Sequence, residues 1–165
     1  MQQPNVAQLA AVHASGARWF NWVAGLSLVN SLLFIFGEKW HFCIGLAFTD
    51  VVNAVLIELS GGSVIAKVVA FVIDALFAGV FAGLGWLALR RQHWAYIVGL
   101  VLLCIDGALC ALCQDWMSTA FHGWAAFAIY NGLRASMSLG KLVPAGATAA
   151  AAAAQSESQD PSAST

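Results

Sequence analysis

The sequence predicts an all-α protein, a bundle of transmembrane helices, and three observations support this fold class. Hydrophobic residues make up 61% of the chain and charged residues 9%, whereas about a quarter of the residues of a soluble domain are charged. The apolar residues form five runs, and residues 64–89 exceed the roughly 20 residues that a helix needs to cross a bilayer. Short polar turns separate the runs. We therefore predict one bundle over residues 19–134 with five spans, the alternative count being four.

The amino-terminal part contains a possible interfacial helix and the first two spans. Residues 1–18 have apolar side chains at helical spacing, which is typical of a short helix lying in the membrane interface. The first span, residues 19–36, begins with tryptophans of the kind that anchor helix ends at the interface. The second span is residues 42–59, and residues 60–63, Ser-Gly-Gly-Ser, are a helix stop and turn.

Three more spans and a tail complete the chain. The third, fourth and fifth spans are residues 64–89, 94–113 and 117–133. Residues 135–165 are rich in Ala and Ser and offer no apolar face to bury, so we expect them to be disordered.

The orientation follows from the positions of Lys and Arg, which favour the cytoplasmic side of a membrane. With five spans, one side collects the following five basic residues: Lys39, Arg90, Arg91, Arg134 and Lys141. The other side has Arg18 and Lys67. The amino terminus is therefore predicted outside and the carboxyl terminus in the cytoplasm, and a count of four spans would change this.

The clearest sign of function is a set of polar residues near the middle of the spans. A charged residue at the centre of a spanning helix costs at least about 2.5 kcal/mol on insertion scales, so each one is a candidate for a functional role. No Lys or Arg lies at that depth, and we expect at least some of the Asp residues to be protonated or to share a proton. The candidate intramembrane polar site is Asp50, Asp74, Asp106, Asn30, Asn53 and His122.

Two interpretations of these residues remain open. They either form hydrogen bonds between helices that hold the bundle together, or they form a path for protons or cations. In the second case Asp74 and Asp106 would carry the proton, and Asp50, Asn30 and Asn53 would line the path. For His122, with Ser118 four residues earlier, we expect a hydrogen-bonded position within the bundle.

The sequence indicates no catalytic, cofactor-binding or metal-binding motif. Cys110 and Cys113 form a Cys-x-x-Cys pair, but they end an apolar helix instead of beginning one, so we predict a structural role. A transmembrane haem would need two histidines at one depth, and His122 has no such companion. The net charge of −1 and the scattered basic residues exclude nucleic acid as the expected partner.

A second pattern is Gly79-x-x-x-Gly83 in the third span. Two glycines at this spacing let another helix approach closely. The partner is predicted to be a helix of the same chain or a second copy in a homodimer.

Several residues of the carboxyl-terminal half carry a resemblance to a protein family. They are Tyr96 and Gly99, Asp106-Gly107, Trp116, Phe121-His122 and Gly132-Leu133-Arg134. This stretch resembles the last hairpin of small bacterial multi-pass integral membrane proteins that have no assigned activity. The resemblance implies a bacterial cytoplasmic membrane location and no particular substrate or cofactor.

Together these features predict a non-enzymatic membrane protein, an accessory subunit or scaffold of a membrane complex. Its expected partners are the lipid bilayer and either a second copy or a membrane-complex subunit. The alternative is a small proton- or cation-coupled transporter or channel that uses the intramembrane carboxylates. A membrane redox protein or enzyme is the third class.

Overall fold

The computed structural model describes residues 5–35 and 46–158, apart from the side chains at positions 34, 35, 47, 50 and 143–158. Within these ranges all regular structure is α-helical and there is no strand, which confirms the all-α prediction. The helices are α1 (Val6–Ile35), α2 (Ala47–Ser60), α3 (Val64–Leu89), α4 (His93–Leu112) and α5 (Trp116–Ser158).

The turns between helices follow from local chemistry. Gly61 ends α2 with φ +61°, a left-handed conformation that glycine adopts without strain. Ser63 caps α3, because its side chain accepts a hydrogen bond from the Ala66 N–H at 3.2 Å. Asp115 does the same for α5 by accepting from the Ser118 N–H at 3.1 Å. Each cap satisfies a backbone N–H group that has no partner at the start of its helix.

Four helices, α1, α3, α4 and α5, run along the length of the bundle in alternating directions. The His13 ring lies against the Leu89 carbonyl near the end of α3, and Ser31 contacts Asp74 near its middle, so α1 is antiparallel to α3. Both the beginning of α1 and the later part of α5 therefore lie at the end of the bundle that contains the α3–α4 turn. We call this the α3–α4 end, and the opposite end the α4–α5 end.

The remaining helix, α2, occupies only half of that length. Its 14 residues rise about 21 Å, against about 39 Å for the 26 residues of α3 at 1.5 Å per residue. The Phe48 ring, at the start of α2, packs 5.1 Å from that of Phe77, midway along α3. From there α2 runs to the α4–α5 end, where it turns into α3.

The ends of the helices do not lie where five full spans would place them. Five full spans place the amino terminus and the residues after the last span at opposite ends, but here Gly16 of α1 lies against Gly132 of α5 near the α3–α4 end. The reason is that α2 starts in the middle of the bundle instead of at one end. Residues 6–18, predicted as a separate interfacial helix, are the first part of α1.

Most of the segment predicted as a disordered tail is helical in the structure. The backbone of α5 is helical to Ser158, well beyond position 134. Ala135, Ser136 and Leu139 are buried, so this stretch has a packing face that its composition did not reveal. Alanine, which fills positions 149–154, has the highest helix propensity. Residues 159–165 lie outside the described part of the chain.

Two of the described helices, α3 and α4, are long and apolar enough to cross a membrane by length and composition. Their bounds agree with the predicted third and fourth spans to within one residue.

At the α3–α4 end, polar contacts of His13 and Tyr96 join α1, α3 and α4. The Tyr96 hydroxyl lies 3.0 Å from His13 Nδ1 and 2.9 Å from the His13 carbonyl, while His13 Nε2 lies 3.4 Å from the Leu89 carbonyl. His13 precedes the first predicted span. Burial lowers the pKa of His13 from its ordinary value of 6.5, nearby Arg91 and His93 lower it further, and the Leu89 carbonyl opposes them.

Acidification is therefore expected to destabilise this end of the bundle. Because the pKa is lower in the folded than in the unfolded chain, the unfolded chain binds more protons below pH 6.5, and stability falls as the pH drops from there through the folded value. The melting temperature of the wild type should fall more between pH 7.5 and pH 5.5 than that of His13→Gln. Equal losses in both proteins would contradict this role.

Candidate functional site: two buried carboxylate clusters

Asp74 is the centre of the first cluster and is 1% exposed. Its Oδ2 accepts a hydrogen bond from Asn53 Nδ2 of α2 at 2.8 Å and lies in hydrogen-bonding contact with Ser31 Oγ of α1. Ser31 Oγ also donates to the Ser27 carbonyl at 3.0 Å. One carboxyl group thus links three helices, α1, α2 and α3.

The Asp74 cluster has spare hydrogen-bonding capacity. Asp74 Oδ1, Asn53 Oδ1 and Ser27 Oγ are buried and have no hydrogen-bond partner among the described residues. Buried polar atoms normally have a partner, so these oxygens can still accept a proton, a water molecule or a small cation. The Ser31 hydroxyl has one proton and two neighbouring acceptors, so it can donate to only one of them at a time.

Asp106 is the centre of the second cluster and is 4% exposed. His122 Nε2 lies 2.7 Å from Asp106 Oδ2, and His122 Nδ1 lies 2.7 Å from the Ser118 carbonyl. Cys110 Sγ, one turn after Asp106 on α4, lies 3.9 Å from His122 Nδ1. Asp106, Cys110 and His122 are all buried, and one ligand atom from each lies within 4.8 Å of the others.

The sequence around the α4–α5 turn explains why His122 reaches Asp106. Both residues are eight positions from Gln114 at the turn, and residues equally far from an antiparallel turn lie at the same depth. Gly107 lets α5 approach, because a Cβ at this position would lie 2.9 Å from His122 Cβ. Any larger residue at 107 would push His122 away from α4.

Asp106 also holds the start of α2. The Phe48 N–H donates to Asp106 Oδ1 at 2.9 Å, and Leu46, at the N-cap of α2, provides no side-chain hydrogen bond. The first N–H groups of a helix lack partners within it and carry a partial positive charge. A carboxylate from α4 therefore caps a helix that begins inside the bundle, and this contact fixes its depth.

A cavity of 310 Å³ adjoins the Asp106 cluster and is partly open between α2, α3 and α4. Of its described lining residues, Thr49 and Asp106 are polar and the others are apolar. They are Leu46, Phe48, Phe77, Val80, Phe81, Leu102, Ile105 and Leu109. The cavity gives the second cluster a route to the outside of the bundle.

The predicted site residues divide as follows. Asp74 and Asn53 meet directly, and Asp106 and His122 meet directly, but the two pairs form separate clusters that α2 connects. Asn30 is buried and makes an interaction of its own. Asp50 belongs to α2, and its side chain lies outside the described residues.

The two glycines of the predicted packing motif face outward. Gly79 and Gly83 are exposed, and no atom of the described residues lies within 4 Å of a Cβ built at either position. Packing against a helix of the same chain is therefore not seen in the described structure. Gly85 does pack inside the chain, where an added Cβ would lie 2.9 Å from Phe20 Cβ.

Sequence reasoning missed Ser31 and Cys110 as members of the clusters, and it missed the Asp106–His122 pair. The equal spacing of Asp106 and His122 from the turn was a signal that could have found the pair. Ser118 was correctly expected as a neighbour of His122, although the contact uses the Ser118 carbonyl.

Comparison of this chain with protein-family models, with curated proteins and with solved structures found no match.

Proposed function

We propose that this chain is a non-enzymatic integral membrane protein that acts as an accessory subunit or scaffold of a membrane complex. The observation that carries the proposal is the outward-facing glycine pair of α3, which leaves a helix-sized contact surface uncovered within the described structure. The buried carboxylates fit the same role, because each of them joins helices of this chain.

A membrane location is supported by the surface of the helices. Only 28% of the most apolar window of α3 and 33% of that of α4 is buried inside the bundle. The core helix of a soluble protein would be mostly buried, whereas the outer faces here present large apolar side chains such as Leu76 and Ile105, which are 66% and 56% exposed. Such faces suit contact with lipid.

The threading that best fits this arrangement is four spans, formed by α1, α3, α4 and α5, with α2 as a half-helix inside the membrane. Non-helical backbone at membrane depth is tolerated where protein surrounds it, and Asp106 supplies the cap that the start of α2 needs. The α3–α4 end carries Arg90, Arg91 and Lys141, so the positive-inside rule places it in the cytoplasm. Both helical termini then face the cytoplasm, and the resemblance noted above favours a bacterial cytoplasmic membrane.

The glycine surface supports a partner helix. Without side chains at 79 and 83, the backbone of another helix can approach α3 closely, and small residues at this spacing are common where transmembrane helices associate. In water an exposed glycine would need no explanation. In lipid, a groove of this kind gains van der Waals contact when a second helix fills it.

The test is purification of the tagged full-length chain from native membranes in mild detergent, followed by identification of whatever copurifies. A stable partner or a homodimer is expected with the wild type and is expected to be lost with Gly83→Ile. Gly123→Ile is the matched control, since Gly123 is also an exposed helical glycine with open space around it. A monomer with no partner, or a complex that both variants leave intact, would contradict the proposal.

A second candidate function, proton- or cation-coupled transport, is favoured by the Asp106–His122 pair beside the cavity. An intramembrane Asp–His pair is a recurring element of proton relays. Proteoliposomes that contain the wild type should then take up protons or cations when a pH gradient is applied. Asp106→Asn should abolish this uptake, and Glu58→Gln, which changes an exposed residue, should not. Absence of uptake in the wild type would leave the scaffold role as the sole proposal.

A further inference from the structure

We propose that Asp106, Cys110 and His122 form a binding site for a divalent transition-metal ion, of which Zn²⁺ fits best. This site goes beyond the scaffold role and does not depend on it. The three side chains offer one oxygen, one sulfur and one nitrogen, and Zn²⁺ binds all three ligand types.

The spacing of the ligand atoms fits a single ion. In a tetrahedral site with Zn–O, Zn–N and Zn–S bonds of about 2.0–2.3 Å, the ligand atoms lie roughly 3.3–3.7 Å apart. Here one ligand atom from each residue lies within 4.8 Å of the others, with His122 Nε2 at 2.7 Å from Asp106 Oδ2 and Cys110 Sγ at 3.9 Å from His122 Nδ1. Changes on the order of 1 Å in these separations would therefore bring the three atoms to the spacing of a tetrahedral site.

Two of the ligands are already oriented by backbone groups. The Ser118 carbonyl accepts from His122 Nδ1 at 2.7 Å, which leaves Nε2 with a lone pair for the metal. The Phe48 N–H donates to Asp106 Oδ1 at 2.9 Å, which leaves Oδ2 directed at His122. Such outer contacts are a regular part of metal sites, because they fix the tautomer and the direction of each ligand.

The surroundings provide the remaining requirements. Cys110 lies four residues after Asp106, on the same face of α4, and is 2% exposed, which protects the thiol from other reactions. The adjoining cavity reaches Asp106, so there is space beside the cluster for a fourth ligand. Binding displaces the proton shared by Asp106 and His122 and the proton of the Cys110 thiol.

The experiment uses the full-length protein, purified in detergent without a polyhistidine tag, loaded with Zn²⁺, dialysed and analysed for metal content. About one ion per chain is expected in the wild type, and at least a tenfold weaker affinity in Cys110→Ser, since losing even an outer contact costs about 10- to 100-fold. Cys113→Ser is the control, because Cys113 is exposed and lies outside the cluster.

Co²⁺ provides a second readout, because its absorption spectrum identifies a thiolate ligand directly. In the wild type and in Cys113→Ser, bound Co²⁺ should show a thiolate-to-metal charge-transfer band, and in Cys110→Ser that band should be absent. Asp106→Asn, which keeps an acceptor for the Phe48 N–H, should also weaken Zn²⁺ binding, so the conclusion does not depend on one variant folding. A wild type that binds no ion, or a Cys110→Ser protein that binds equally well with the same band, would overturn the proposal.

Discussion

Replacing Asp106 with alanine is expected to lower the free energy of unfolding by about 3–5 kcal/mol. The change removes the acceptor of the Phe48 N–H at the start of α2 and the partner of His122 Nε2. Each buried polar group left without a partner costs about 1–3 kcal/mol, and two are affected at once. Detergent-based unfolding followed by circular dichroism measures the loss.

Two variants at neighbouring positions make this result specific. Asp106→Asn keeps an oxygen for Phe48 and should cost less than Asp106→Ala. Ile105→Ala changes the adjacent residue, whose side chain is 56% exposed, and should cost less than about 1 kcal/mol. If Asp106→Ala were no more destabilising than Ile105→Ala, the cap on α2 would not be holding the helix.

Gly16→Ala is expected to destabilise the protein by about 2–3 kcal/mol, because the added methyl group has no space. Its Cβ would lie 2.5 Å from the Gly132 Cα and 2.9 Å from the Ala128 carbonyl oxygen. These are backbone atoms, so α1 and α5 would have to move apart. The same unfolding experiment measures the effect.

Gly25→Ala is the matched control on the same helix. No atom of the described residues lies within 4 Å of a Cβ at Gly25, and alanine favours a helix over glycine by about 1 kcal/mol. Gly25→Ala should therefore leave stability unchanged or raise it. Similar losses in both variants would mean that α1 and α5 do not pack through Gly16.

The parts of the fold that composition determines were predictable. α3 is uninterrupted by polar turns and is bounded by Ser63 at one end and Arg90 at the other, so its limits could be predicted to the residue. The limits of α4 could be predicted to within one residue. In both cases the apolar run, the helix and the turn coincide.

The half-length of α2 could not be predicted in the same way. Residues 42–59 are apolar nearly throughout, and composition does not distinguish a helix that crosses the membrane from one that begins halfway. The depth of α2 depends on Asp106, which is 58 residues away from Phe48 in the sequence. Because α2 starts in the middle of the bundle, the beginning of α1 and residue Gly132 of α5 lie at the same end, which five full spans do not allow.

The burial of several site residues was predictable, but the pairing of these residues was not. The shared depth of Asp74, Asp106 and Asn53 indicated a polar interior, and all three are buried. Helix rotation decides which of them touch, and the sequence carries little information on rotation when nearly every face is apolar. In the structure Asp74 and Asp106 contact different parts of α2, since Asn53 donates to Asp74 and the Phe48 N–H donates to Asp106.

Side-specific labelling tests the arrangement of four full-length helices and one half-helix most directly. Single cysteines replace Val6, Leu59 and Lys141, which are all exposed, in a variant without the native cysteines, and an impermeant maleimide is applied to membrane vesicles of known orientation. We expect positions 6 and 141 to be labelled from the cytoplasmic side and position 59 from the opposite side. Labelling of positions 6 and 59 from one side and 141 from the other, as five spans require, would contradict the account.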